Sequence, residues 1–222
     1  MGKLYAISDI HGCYETFHGL VFDKICLQKS DRLILLGDYI DRGDKSREVI
    51  DLILDLDEKG YDITPLMGNH EAMMLDSHRD TSMLPLWLYN SGSDTLLSFG
   101  ISDLSDLETR YLDFLMNLRY YEKVGDIIFV HAGFNDELQD PFTDNYTMIW
   151  ETRSGYNNPA FKGKTIIHGH RPKTIDYVKS LIEAKSSVIP IDTGCVYSKE
   201  SGLGFLSALD VSSMKLVTLS NY

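Results

Sequence analysis

Aspartate, asparagine and histidine recur at five points where a short β-rich run gives way to a turn. Asp9 and His11 lie two apart in Ser8-Asp9-Ile10-His11-Gly12, so an extended backbone presents an oxygen and a nitrogen donor to one side. Asp38 follows in Gly37-Asp38-Tyr39-Ile40-Asp41-Arg42-Gly43, and Asn69 in Gly68-Asn69-His70-Glu71. His131-Ala132-Gly133 and His168-Gly169-His170 complete the set. Asp9, His11, Asp38, Asn69, His131 and His170 are six candidate donors, more than one open catalytic ion needs. Two divalent ions sharing a carboxylate need about that number, and such pairs sit roughly 3.5–4 Å apart and clamp an in-line displacement. Oxygen and nitrogen donors without thiolate suit manganese, iron or zinc, with manganese favoured. One histidine after a strand is an ordinary structural residue. Five strand ends with the same chemistry point to a metal site.

Donors at strand ends need a sheet to hold them. Residues 4–7, 33–36 and 63–66 read as strands, and the intervening residues 14–25 and 46–59 have helical periodicity, the latter with Val49, Ile50, Ile53, Leu54 and Leu56 on one side. That is a β-α-β-α-β core with parallel strands and right-handed crossovers. In such sheets the functional residues gather beyond the carboxyl ends of the strands. Residues 73–122 read as mostly helical, best at 84–90 and 107–118, and are expected to cap one side of the core. Strands resume at 127–130, 165–167, 188–191, 204–209 and 215–219. No low-complexity segment or Pro/Gly/Ser-rich linker interrupts the chain, which is expected to form one domain over residues 1–222.

Apolar residues make up 43% of the chain and charged residues 24%, an ordinary globular composition. The 21 basic and 33 acidic residues give a formal net charge of -12, which repels a bare polyanion and argues against a general nucleic-acid binder. Cys13, Cys26 and Cys195 are too few, and odd in number, for a disulfide framework. The opening residues reach an aspartate before any long apolar run, so no secretory signal is expected. No stretch approaches the roughly 20 apolar residues of a membrane span. These features imply no membrane partner and a cytoplasmic location.

The motifs together resemble those of the calcineurin-like metallophosphoesterase superfamily, and within it the phosphoprotein phosphatases, especially the small bacterial and bacteriophage lambda forms. The resemblance rests on the five motifs quoted above and on Ile191-Asp192-Thr193-Gly194-Cys195, so it runs over nearly the whole chain. It implies an α/β fold of two facing mixed β-sheets, a β-sandwich flanked by α-helices, with the site at one edge. It implies that Asp9, His11 and a bridging Asp38 hold one metal, and that Asp38, Asn69, His131 and His170 hold the other. His170 is preferred to His168, which is expected to face inward. Arg42 matches the family's phosphate-gripping arginine, and Asn69 touches the same phosphate. His70 matches the leaving-group acid, with Asp41 accepting its other ring N–H and raising its pKa so that it stays protonated. Arg153 is the candidate for a second phosphate arginine, although it stands one position late after Trp150; Lys162, Lys164 and Arg171 are substitutes. Tyr197 is expected to line the site or to pack in the core.

The activity implied is that of a metal-dependent phosphomonoesterase, a serine/threonine or dual-specificity protein phosphatase in which a hydroxide bridging two metals attacks phosphorus in line. Its partner would be a phosphoprotein or a small phosphoester. The alternative in the same superfamily is a hydrolase of diadenosine tetraphosphate or of nucleotide caps; the Asp41-Arg42-Gly43 and Asn69-His70-Glu71 runs favour the protein-phosphatase branch. A non-catalytic binding module would have lost ligands, and none is missing. A cyclic-nucleotide or nucleic-acid phosphodiesterase fits the acidic surface poorly.

Overall fold

A computed structural model of the chain describes residues 2–197 and 202–221. In chain order its strands are β1 (Leu4–Ile7), β2 (Arg32–Leu35), β3 (Asp62–Pro65), β4 (Tyr121–Val124), β5 (Ile127–Val130), β6 (Thr165–His168), β7 (Val188–Pro190), β8 (Phe205–Asp210) and β9 (Lys215–Ser220). The helices are α1 (Tyr14–Gly19), α2 (Ser46–Glu58), α3 (Asn69–Arg79), α4 (Leu84–Tyr89), α5 (Gly92–Phe99), α6 (Thr109–Met116), α7 (Asn145–Trp150) and α8 (Ile175–Glu183).

The strands form two mixed sheets. One runs β3-β2-β1-β8-β9, with β1, β2 and β3 parallel and β8 and β9 antiparallel. The other runs β4-β5-β6-β7, antiparallel at β4–β5 and parallel beyond. Side chains alternate across each strand, and the apolar pattern follows that period. Ala6 and Ile34 meet Phe129, Ile167, Ile189 and Leu209 in one core between the sheets. Tyr5, Ile7, Leu33 and Leu35 turn the other way, onto Phe17, Val49 and Ile53. Ile128, Val130, Ile166 and Val188 face outward from the second sheet onto Phe134 and Phe161. Fully burying one such side chain contributes about 1.5–3 kcal/mol. Three apolar layers thus hold the two sheets and their helices as the expected sandwich.

The β-α-β-α-β core stands where periodicity placed it, with strand ends shifted by a residue; the helix read over 14–25 is α1 to Gly19, continued by a π-helical stretch over Leu20–Lys24. The start of α3 and the whole of β4, α7 (Asn145–Trp150) and α8 went unread. α3 begins at Asn69 itself, because the Glu71 carboxylate turns back onto the N–H of Gly68 at 3.1 Å and closes the helix start. β4 lies within the stretch read as helical, where Tyr121 and Val124 can pair with β5. α8 supplies the crossover that the parallel pair β6–β7 requires. Among the described residues, no helix is long and apolar enough to cross a membrane. All three cysteines are free.

Candidate active site

Five of the site residues hold a left-handed backbone without being glycine: His11 (φ 47°), Asp38 (φ 54°), Asp41 (φ 68°), Arg42 (φ 70°) and His170 (φ 69°). Such conformations cost free energy and persist only where the surroundings over-determine them. Here the sharp turns at the strand ends throw the side chains toward one another. Two glycines allow the close approach. A Cβ on Gly68 would strike Asp38 Oδ1, and one on Gly169 would strike Asp9 Oδ1.

Asp38 stands between two histidines, its Oδ2 at 3.5 Å from His11 Nε2 and its Oδ1 at 3.5 Å from His131 Nε2. Burial, and then the neighbouring Asp9 carboxylate, push its pKa well above the usual range. On one side, His11 donates from Nδ1 to Ile40 O at 2.9 Å, and burial holds the ring neutral, so Nε2 presents a lone pair. On the other, His131 Nδ1 donates to Leu36 O at 2.8 Å, which turns Nε2 toward the site. That nitrogen faces Asn69 Oδ1 at 3.0 Å and His170 Nδ1 at 3.2 Å. Asn69 Oδ1 is also 3.0 Å from His170 Nδ1, and His170 Nε2 is buried with no hydrogen-bond partner.

Two groups of potential ligand atoms result, His11–Asp38–His70 and Asp38–His131–His170, each with its donor atoms within 4.8 Å of one another. Acceptor atoms aimed at a shared point, with ring N–H groups tied to backbone carbonyls behind them, are what a divalent cation requires. The residues fit a metal pair. Asp9 is placed differently from expectation: both its oxygens accept from the His170 N–H, at 3.1 and 3.0 Å, and Ser8 Oγ donates to it at 2.9 Å. His70 stands in the first group in its place.

His70 donates from Nδ1 to Asp41 Oδ2 at 2.6 Å. Asp41 is fully buried and held by Trp87 Nε1 at 3.0 Å and Thr95 Oγ1 at 2.5 Å, while its own N–H donates to Thr95 and Ser46. Burial pushes the Asp41 pKa up; burial, with the Arg42 guanidinium, pushes the His70 pKa down. This corrects the expectation that Asp41 keeps His70 protonated. Desolvation of the imidazolium outweighs the carboxylate. Moreover Arg42 Nη2, which can only donate, sits 3.0 Å from His70 Nε2, so that nitrogen holds a lone pair. The other arm of the guanidinium, Nη1, donates to His11 Nε2 at 2.8 Å.

Tyr197 is exposed, with the Arg42 guanidinium 5.7 Å from its ring centroid, so it lines the site rather than the core. His168 is buried as expected, outside both ligand groups. Arg153 is not drawn toward Arg42. It lines a separate cavity with His168, Arg171 and Lys173. Lys164 pairs with Asp126 instead.

The clasp around the loop after β2 was not foreseen. Glu71 Oε1 accepts from the N–H groups of Tyr39 and Ile40, and Oε2 from those of Asp38 and Gly68, tying the Asp38 turn to the start of α3. Burial raises its pKa to about 8, against those N–H groups. Its place in the Asn69 motif was the available signal. Trp87 and Thr95 carry no motif.

A family model for calcineurin-like phosphoesterases matches residues 2–197. With the two-sheet fold and the paired ligand groups, it establishes that the chain belongs to the calcineurin-like phosphoesterase family, a family of metal-dependent hydrolases with a dinuclear centre. Two relatives stand out. The asymmetrical bis(5'-nucleosyl)-tetraphosphatase PrpE of Bacillus velezensis is 24% identical over 218 residues, covering 87% of this chain and 85% of its own. The symmetrical bis(5'-nucleosyl)-tetraphosphatase of Buchnera aphidicola is 36% identical over 167 residues, covering 75% of this chain but only 57% of its own length. A solved protein described as a candidate diadenosine tetraphosphatase shares the fold with a TM-score of 0.68 at 20% identity, over 100% of this chain and 94% of that one.

These relatives overturn the expectation of a serine/threonine protein phosphatase. The Asp41-Arg42-Gly43 and Asn69-His70-Glu71 runs therefore did not decide the branch. In the structure Asp41 holds His70 and Glu71 ties the Asp38 turn to α3.

Proposed function

We propose that this chain is a metal-dependent dinucleoside tetraphosphate hydrolase. The alignment with the Bacillus tetraphosphatase carries this reading, because it spans most of both chains, and the match in length favours the asymmetrical split over the symmetrical one. Asp9, His11 and Asp38 would hold one divalent ion, manganese, iron or zinc, and Asp38, Asn69, His131 and His170 the other. Such a pair supplies Lewis acidity to the phosphate and an acidified water.

The chain's own groups do the rest. Arg42 turns its planar fork onto the phosphate under attack, where two parallel N–H donors match two oxygens, and Asn69 lies beside it. Leaving His11 and His70, it frees the His70 Nε2 lone pair to accept or pass on a proton, while Nδ1–H stays on Asp41. A neutral His70 suits an anhydride. A departing phosphate, with a second pKa of about 6, leaves as an anion, whereas an alcohol must be protonated as it goes.

The test is hydrolysis by manganese-loaded protein of diadenosine tetraphosphate beside a phosphoserine peptide, with products separated by chromatography. AMP with ATP is the expected pair, and His70→Asn should lower kcat roughly 10²-fold with a smaller effect on KM. Two molecules of ADP would retain the substrate and correct the cleavage position. Faster turnover of the peptide would overturn the reading.

A further inference from the structure

We propose that the cationic pocket beside His170 is a second phosphate subsite, which holds the part of the phosphate chain that is not under attack; this rests on the tetraphosphate reading above. β6 ends at His168, and the chain then passes through Gly169, His170 and Arg171. His170 enters the metal-ligand group, while its neighbours His168 and Arg171 line a different cavity of about 160 Å³, together with Arg153 and Lys173.

That lining is unusual for this chain. No carboxylate lines the cavity in a protein with a formal net charge of -12. Among the described residues, Arg153, Arg171 and Lys173 form no ion pair. Arg153 Nε is buried without a hydrogen-bond partner. His168 is only 4% exposed, and its Nδ1–H donates to Gly169 O at 3.0 Å. A buried polar atom without a partner is costly, and a ligand oxygen satisfies it. Three unpaired cations, one of them with a buried Nε that lacks a partner, define an anion site, and arginine forks match phosphate oxygens.

The occupant follows from size and place. The cavity has the dimensions of phosphate groups rather than of a nucleoside, and two of its lining residues, His168 and Arg171, flank the candidate metal ligand His170 in the chain. A chain of four phosphates approaching an acidic protein needs countercharge beyond Arg42 and the metal group, and this pocket is where the fold concentrates it. Arg153 therefore serves a neighbouring phosphate, not the one that Arg42 grips.

The experiment compares manganese-loaded wild type with Arg171→Ala and Lys173→Ala on two substrates, diadenosine tetraphosphate and p-nitrophenyl phosphate, which carries a single phosphate. The ratio of kcat/KM for the dinucleotide to that for p-nitrophenyl phosphate should fall roughly tenfold in each variant, chiefly through KM, as loss of a charged hydrogen bond predicts. Inhibition of p-nitrophenyl phosphate hydrolysis by inorganic tripolyphosphate should weaken by a similar factor. Ratios and inhibition equal to wild type in both variants would overturn the subsite. If wild type does not turn over the dinucleotide, the functional reading fails, and the tripolyphosphate comparison still decides the pocket: weaker inhibition in the variants supports it, equal inhibition refutes it.

Discussion

The two halves of the candidate metal centre share Asp38 and differ in what faces their lone pairs. In the half built from His11 and His70, one exposed guanidinium donates to both Nε2 atoms, so a side-chain cation already balances them. In the half built from Asn69, His131 and His170, the lone pairs converge on one another and His170 Nε2 has no partner. The second half draws on three separate elements, the ends of β5 and β6 and the start of α3, and among the described residues no lysine or arginine is hydrogen-bonded to it. The difference teaches that the His11 half is tied to an exposed side-chain cation, whereas the donors of the other half face only one another. On the proposed reading, Arg42 also grips the phosphate, so that half and the substrate draw on a single guanidinium.

Removing the shared carboxylate should break both halves at once. Asp38→Asn is expected to lower metal content, read by elemental analysis, and to reduce turnover by more than roughly 10²-fold. Two ions per chain with wild-type kcat would contradict the bridging place of Asp38. Removing the guanidinium should separate the halves. Arg42→Met is expected to raise KM for the phosphate substrate roughly tenfold, with manganese binding to the His11 half, followed by calorimetric titration, equal to or tighter than in wild type. Weaker manganese binding would mean that Arg42 supports that half instead of competing for it.

The smallest effect is on stability. Burial depresses the pKa values of His11, His70, His168 and His170 below the ordinary 6.5, to about 4 for His168. Below pH 6.5 these rings, taken alone, bind fewer protons folded than unfolded, so their contribution is full above 6.5 and is lost as pH falls toward 4, while Asp38, Asp41 and Glu71, whose pKa values burial raises, act in the opposite sense. In chelator-treated protein the urea midpoint of wild type relative to His168→Gln should fall steadily as pH drops through that window, because the difference isolates this one ring. A difference that does not change with pH would show that this ring is not buried neutral.

Much of the centre was legible before any coordinates. His11, Asp38, Asn69, His131 and His170, which the structure brings together, stood out because donor residues recurred at strand ends, whereas Asp9 stood out equally and lies outside both ligand groups; α2 was legible because its apolar residues keep a helical period. The support of Asp41 was not. Trp87 and Thr95 reach it across 46 and 54 positions from α4 and α5, and nothing near them in sequence marks them as its partners. Nor was the leaving group legible, since the motifs that grip and attack a phosphate are indifferent to what is bonded to it.

By itself the sequence determined the donor types, their strand-end spacing and the alternation that gives each strand two apolar faces, because these depend on covalent identity and on a backbone period of a few residues. Only the tertiary structure decided which donors meet, that Asp9 turns to the His170 N–H, that Arg153 joins a second cationic pocket, and that His70 is neutral. Those outcomes depend on burial and on contacts between distant segments, and desolvation of a charge inside a closed fold can reverse what its neighbour in the sequence implies.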